Sequence, residues 1–131
     1  CCYSSESKEL IAIDLTELNL EQVPSFNASI RLIDLRSNRH LHPNKDSDFI
    51  HLQVLNDLFL PEQYQCPGGE DVWALIEHLN DSSSYHCHQQ IDSCLHRSNS
   101  CPSNRSFCNS NGPDHILCLC RSGFYGYKCL R

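Results

Sequence analysis

The sequence predicts a small, disulfide-rich α+β fold in three parts. Leucine-rich coils occupy residues 1–65, a disulfide-held helix occupies 66–90, and a cysteine-dense β-hairpin module occupies 91–131. Three observations carry this prediction. A leucine–isoleucine pattern in the first half returns after 20 residues. An apolar stripe at helical spacing follows a Cys-Pro-Gly-Gly turn. Six of the ten cysteines crowd into residues 94–129.

The coils come first. Leu10-x-x-Ile13-x-Leu15-x-x-Leu18-x-Leu20 fits the template L-x-x-L-x-L-x-x-N-x-L, and Ile30-x-x-Ile33-x-Leu35-x-x-Asn38 fits it again. The tetrapeptide AIDL at 12–15 returns as LIDL at 32–35. Alternating apolar residues make a short strand with one buried face, and the asparagine side chain bonds backbone groups in the turn that follows. Leu18 stands where the first repeat would carry that asparagine. A looser third match begins at Leu55, with Leu58 and Leu60 following. The pattern is leucine-rich-repeat-like, and so short an array needs caps to cover its ends.

The C-terminal cap is expected over 66–90. Cys66-Pro-Gly-Gly reads as a turn and Glu70 to Asn80 as a helix. Glu70 and Asp71 suit its positive end, and Val72, Leu75, Ile76 and Leu79 line one face with Trp73 beside them. Ser82–Ser84 would end it. A Cys66–Cys87 bridge would staple the helix to the last coil, contributing on the order of 3 kcal/mol.

The terminal segment spaces its cysteines as Cys94-x6-Cys101-x6-Cys108-x9-Cys118-x-Cys120-x8-Cys129 and ends in Gly123-Phe124-Tyr-Gly126-Tyr-Lys-Cys129. Six cysteines alone allow 15 pairings. The spacing together with the glycine–aromatic–x–glycine turn resembles the EGF-like module. That resemblance implies the pairs Cys94–Cys108, Cys101–Cys118 and Cys120–Cys129. Bridges substitute for a core in so short a domain. Some such modules bind calcium, but here Gln90-Ile91-Asp92-Ser93, Asn109, Asn111 and Ile116 offer few carboxylates, so no calcium and no other cofactor is expected.

The composition narrows the class of function. Disulfides at this density persist only in oxidising space. Three sequons, at Asn27, Asn80 and Asn104, agree with an extracellular or lumenal glycoprotein. A net charge of −6 offers no basic surface for nucleic acid. No run of 18 apolar residues is present. No Gly-x-Ser-x-Gly, His-Glu-x-x-His or phosphate loop occurs, so the expected function is non-enzymatic.

The order of coils, Cys-Pro-Gly-Gly, tryptophan and one EGF-like module is similar to the all-trans retinoic acid-induced differentiation factor family. Cys1-Cys2, Ile33-Asp34-Leu35, Leu52-Gln53-x-Leu55, Cys66 to Gly69, Trp73 and Gly123 to Cys129 carry the likeness. The resemblance implies a single-pass membrane glycoprotein with a cleaved signal peptide in its precursor and an anchor soon after Arg131. It also implies a lysosomal or cell-surface location, a link to differentiation, and a membrane or secreted protein partner. A multi-span lysosomal transporter served by an accessory subunit is one form of that partnership. A secreted EGF-like receptor ligand is the rival reading. Adjacent cysteines rarely bridge each other, so at least one of Cys1 and Cys2 is expected to bond outside this stretch.

The candidate contact residues are Tyr125 and Tyr127 on the terminal hairpin and Asp14 and Asp34 on the coil face. Phe124 is expected to pack within the hairpin. Asp14 and Asp34 invite an acid–base reading, but their place in the repeat assigns them to polar strand positions. His86-Cys87-His88 with His96 invites a zinc reading. The disulfide claim on Cys87 favours exposed histidines instead, and no metal is expected. Eight histidines also raise the idea of a pH sensor, although solvated side chains are the simpler reading.

Overall fold

In the first half, apolar residues alternate with polar ones over very short stretches, and each stretch forms a strand. The computed structural model describes residues 2–3, 5–6, 9–80, 83–95, 101, 104–126 and 129–131. Strands β1 (Cys2–Tyr3), β2 (Leu10–Asp14), β3 (Leu32–Asp34), β4 (Asp57–Leu60), β5 (Trp73–Leu79) and β6 (Ser84–Gln90) form one sheet in the order β1-β2-β3-β4-β6-β5. Strands β2, β3 and β4 are parallel, with Ala12 opposite Leu32 and Leu32 opposite Asp57. The remaining pairings, β1 on β2, β6 on β4 and β5 on β6, are antiparallel.

Asn38 ties the first turns together. It is fully buried, and its amide donates to the carbonyls of Leu15 at 3.0 Å and Leu35 at 2.8 Å. Its oxygen accepts the backbone N–H groups of Leu18 at 3.2 Å and Leu20 at 2.9 Å. One side chain thus satisfies four backbone groups that no strand partner reaches.

Beneath the sheet lies the core. Ile30, Ile33, Leu35, Leu41, Leu52, Leu55, Leu58 and Leu60 are buried, with Phe49, Tyr64, Val72 and Trp73 around them. Phe49 meets Tyr64 edge-on with ring centroids 6.1 Å apart. The Tyr64 hydroxyl donates to Asp48 at 2.5 Å.

The helical cap is not present, and the fold is almost entirely β. Among the described residues, helical structure is the 3-10 turn Gly69–Asp71 and the 3-10 residue Cys129, and the stretch expected to be helical is strand β5. The apolar spacing of Val72, Leu75, Ile76 and Leu79 satisfies a helical stripe, but seven residues are also of strand length. Tertiary pairing decides between the two. Strand β6 fills the open edge of β4 and leaves its own far edge free, and β5 takes that edge in register from Trp73–Gln90 to Leu79–Ser84. The Cys66–Cys87 bridge, S–S 2.00 Å, holds β6 against the turn that precedes β5. Trp73 is buried in the core, and its indole N–H donates to the Pro67 carbonyl at 2.9 Å.

A second sheet of two strands, β7 (Ser106–Ser110) and β8 (Ile116–Cys120), forms the terminal hairpin. It carries the bridges Cys94–Cys108, Cys101–Cys118 and Cys120–Cys129. The hairpin turn docks on the loop at 48–53. The His51 N–H donates to the Asn111 carbonyl at 2.7 Å, the Gln53 amide to the Ser110 carbonyl at 2.5 Å, and His115 Nε2 to the Asp48 carbonyl at 2.7 Å. Gly112 is buried at this contact with φ +103°, and an added Cβ would sit 2.4 Å from the Phe49 carbonyl oxygen.

Candidate functional site

Side chains alternate across a strand, so one face of the large sheet packs on the core and the other meets solvent. Ile13, Ile33, Leu58, Cys87 and Ile76 stand in line on the inner face. The outer face has two cross-strand rows. Ala12, Leu32, Asp57, His88 and Leu75 form one, and Asp14, Asp34, Phe59, His86 and Glu77 form the other.

These outer residues are fixed by one another. Arg36 pairs with Asp34 through Nε to Oδ1 at 2.9 Å and Nη2 to Oδ2 at 2.6 Å. Its guanidinium carbon lies 4.7 Å from the centroid of Phe59. The Phe59 ring stacks in turn on His86. His86 Nε2 and His88 Nδ1 both reach Asp57 Oδ1, at 2.9 Å and 2.6 Å. Beside them Leu75, on the edge strand β5, is 47% exposed.

The same contacts set the electrostatics. The Asp34 hydrogen bonds raise the pKa of Arg36 despite some burial. Burial pushes the Asp57 carboxyl upward, but the hydrogen bonds and charges of His86 and His88 outweigh it and hold the group below the ordinary carboxylate value. Asp14 is likewise held low, first by the Thr16 backbone N–H and then by the Thr16 hydroxyl.

Asp14 and Asp34 stand opposite each other on β2 and β3 of this face, each engaged with a neighbour on its own coil. Tyr125 belongs to the terminal module and is 66% exposed. Phe124 is 38% exposed, with the Arg105 guanidinium carbon 5.2 Å from its centroid. Tyr127, Cys1 and His96 lie outside the described residues. Cys2 is exposed and carries no bridge. The sequon asparagines Asn27, Asn80 and Asn104 are all exposed. Sequence reasoning did not find Asp57, Phe59 or Arg36. The signal for Asp57 and Phe59 was the alternation Asp57-Leu58-Phe59-Leu60, which marks a strand whose odd positions share a face.

A cleft of about 490 Å³ lies elsewhere, lined by Lys45, Asp48, Tyr64, Pro67, Asp114 and His115 among others. Its central polar groups already serve the fold. Asp48 accepts from Tyr64 and from the Asn44 N–H, and the ring of His115 bonds the Asp48 carbonyl.

Residues 101–131 match the family described as ATRAID-like, EGF domain. The whole chain is similar to proteins named all-trans retinoic acid-induced differentiation factor. It is 30% identical over 140 residues to that of Danio rerio, 33% over 139 to that of Mus musculus, and 32% over 136 to that of Homo sapiens. Along its whole length the chain resembles the all-trans retinoic acid-induced differentiation factors. It spans 59% of the zebrafish and mouse relatives and 57% of the human one, each alignment covering all of this chain. No solved structure matches it. The names of the differentiation factor and its EGF-like domain fit a non-enzymatic protein. The disulfide-rich module fits an extracellular or lumenal location. No helix among the described residues is long and apolar enough to cross a membrane.

Proposed function

We propose that the chain is the non-enzymatic ectodomain of a single-pass membrane glycoprotein and that it works by presenting the outer face of its large sheet to a protein partner. The compartment of this reading is the cell surface or the lysosomal lumen. The composition of that face carries the proposal: exposed Leu75 and half-buried Phe59 sit among fixed polar groups, an apolar patch inside a polar surround. The two rows hold four carboxylates, Asp14, Asp34, Asp57 and Glu77, and no lysine or arginine, with Arg36 paired to Asp34 at their flank. The partner surface is therefore basic, since complementary charge steers and registers such contacts. The exposed asparagines of the three sequons are the proposed glycan sites.

Photo-crosslinking in the full-length protein, in its own membranes, tests this reading. A crosslinking residue replaces Glu77 in one variant and Tyr125 in another, and the adducts are identified by mass. A single stoichiometric adduct from position 77 supports the sheet face, and a multi-span membrane protein in that adduct would make the chain an accessory subunit. An adduct from position 125 alone would transfer the function to the terminal module and overturn the proposal.

A further inference from the structure

We propose that Asp57, His86 and His88 form a binding site for a divalent first-row metal ion, zinc foremost. Their ligand atoms all lie within 4.8 Å of one another. Both histidines aim a ring nitrogen at the same oxygen, Asp57 Oδ1, at 2.9 Å and 2.6 Å. Zinc sits about 2.0–2.2 Å from nitrogen and carboxylate ligands in a tetrahedral arrangement, which spaces the ligand atoms roughly 3.3 Å apart. An ion therefore enters with small side-chain rotations and no movement of the backbone.

The scaffold fixes these positions independently of any ion. His86 and His88 are two apart on β6 and so project from the same face. Asp57 is the register partner of His88 on β4. Between the two histidines, Cys87 is buried and bridged to Cys66, which pins the strand where the ligands emerge. Phe59 stacks on His86 and limits its ring rotation. Ligands placed on paired strands and locked by neighbours are the arrangement a metal site requires.

The donor set defines the ion. Two imidazoles and one carboxylate, with no thiolate, suit zinc, copper or nickel better than calcium or magnesium. All three residues are only partly buried, so a fourth position is open to water. Glu77 is cross-strand from His86 on the same face. This site needs no partner protein.

Zinc titration by calorimetry, on the chain with its free thiols blocked, measures the site directly. The expected result is one ion per chain, with affinity falling roughly 100-fold or more in His88→Gln and in His86→Gln. His42→Gln, in an exposed loop, leaves it unchanged. Nitrogen NMR of the unsubstituted protein supplies a readout that no folding defect can mimic: zinc shifts the ring resonances of His86 and His88 and leaves those of His51 and His115 in place. Zinc uptake equal in parent and His88→Gln would overturn the proposal. So would ring shifts at other histidines, or no uptake at all.

Discussion

The imidazole of His86 lies flat against the ring of Phe59, with centroids 4.1 Å apart and planes inclined by 10°. Arg36 approaches the same ring, so Phe59 joins the ion pair on β3 to the histidines on β6. Phe59→Leu keeps a similar apolar volume and removes both ring contacts. The expected loss of stability is about 1–2 kcal/mol, read as a lower urea midpoint with an unchanged slope.

Asn38→Ala leaves two carbonyls and two backbone N–H groups in the first turns without their partner. A buried polar group stripped of its bond is costly, and water reaches part of this turn, so the expected loss is about 2–4 kcal/mol. Chemical unfolding under non-reducing conditions measures it. Hydrogen exchange should quicken at Leu20, whose amide bonds the Asn38 side chain at 2.9 Å, and stay slow at Leu58.

Two glycines with positive φ separate strain from collision. At Gly123 a Cβ meets nothing within 4 Å, so Gly123→Ala bears only the left-handed backbone cost of about 1–2 kcal/mol. At Gly112 the same Cβ also strikes backbone atoms of the 48–53 loop. Gly112→Ala is expected to lose at least about 2 kcal/mol more than Gly123→Ala, and to expose the His51 amide to exchange as the hairpin turn lifts away.

Tyr64 is held protonated, first by burial and then by the Asp48 carboxylate that its hydroxyl bonds. Its folded pKa stands above the unfolded value near 10. The stability it contributes is whole below about pH 10 and declines as the pH rises beyond that point. Ultraviolet titration should show this tyrosine silent until the chain unfolds. Tyr64→Phe should remove about 2 kcal/mol at neutral pH and flatten the alkaline decline.

The legible parts of this protein were those written as local periodicity. The tetrapeptides AIDL and LIDL share a period of two, and in the fold they lie side by side with Asp14 opposite Asp34. Residues 73–79, Trp-Ala-Leu-Ile-Glu-His-Leu, carry a helical stripe and no strand alternation, yet they form a strand. The choice of strand rests with β6, which pairs with β5 on one side and with β4 on the other. No local pattern holds that information. The same reason hid Asp57. It aligns with Leu32 and not with Asp34, so the repeat places no acid there, and its two histidine partners arrive from 29 and 31 residues downstream. The seating of the terminal hairpin on the 48–53 loop is equally non-local, made by Gly112 and by hydrogen bonds across some 60 residues of chain.

Because β6 lies between β4 and β5, the backbone edge of β4 stays bare during synthesis until residue 90 has left the ribosome and folded back. A bare strand edge invites pairing with other chains. Fragments that stop after the coils should therefore clump in the secretory pathway, and a premature stop anywhere in residues 66–90 should be handled by the cell as a misfolding lesion. The β5–β6 hairpin is in this sense a sheath as well as a cap. Residues 1–90 are therefore the shortest stretch in which that edge of β4 is covered.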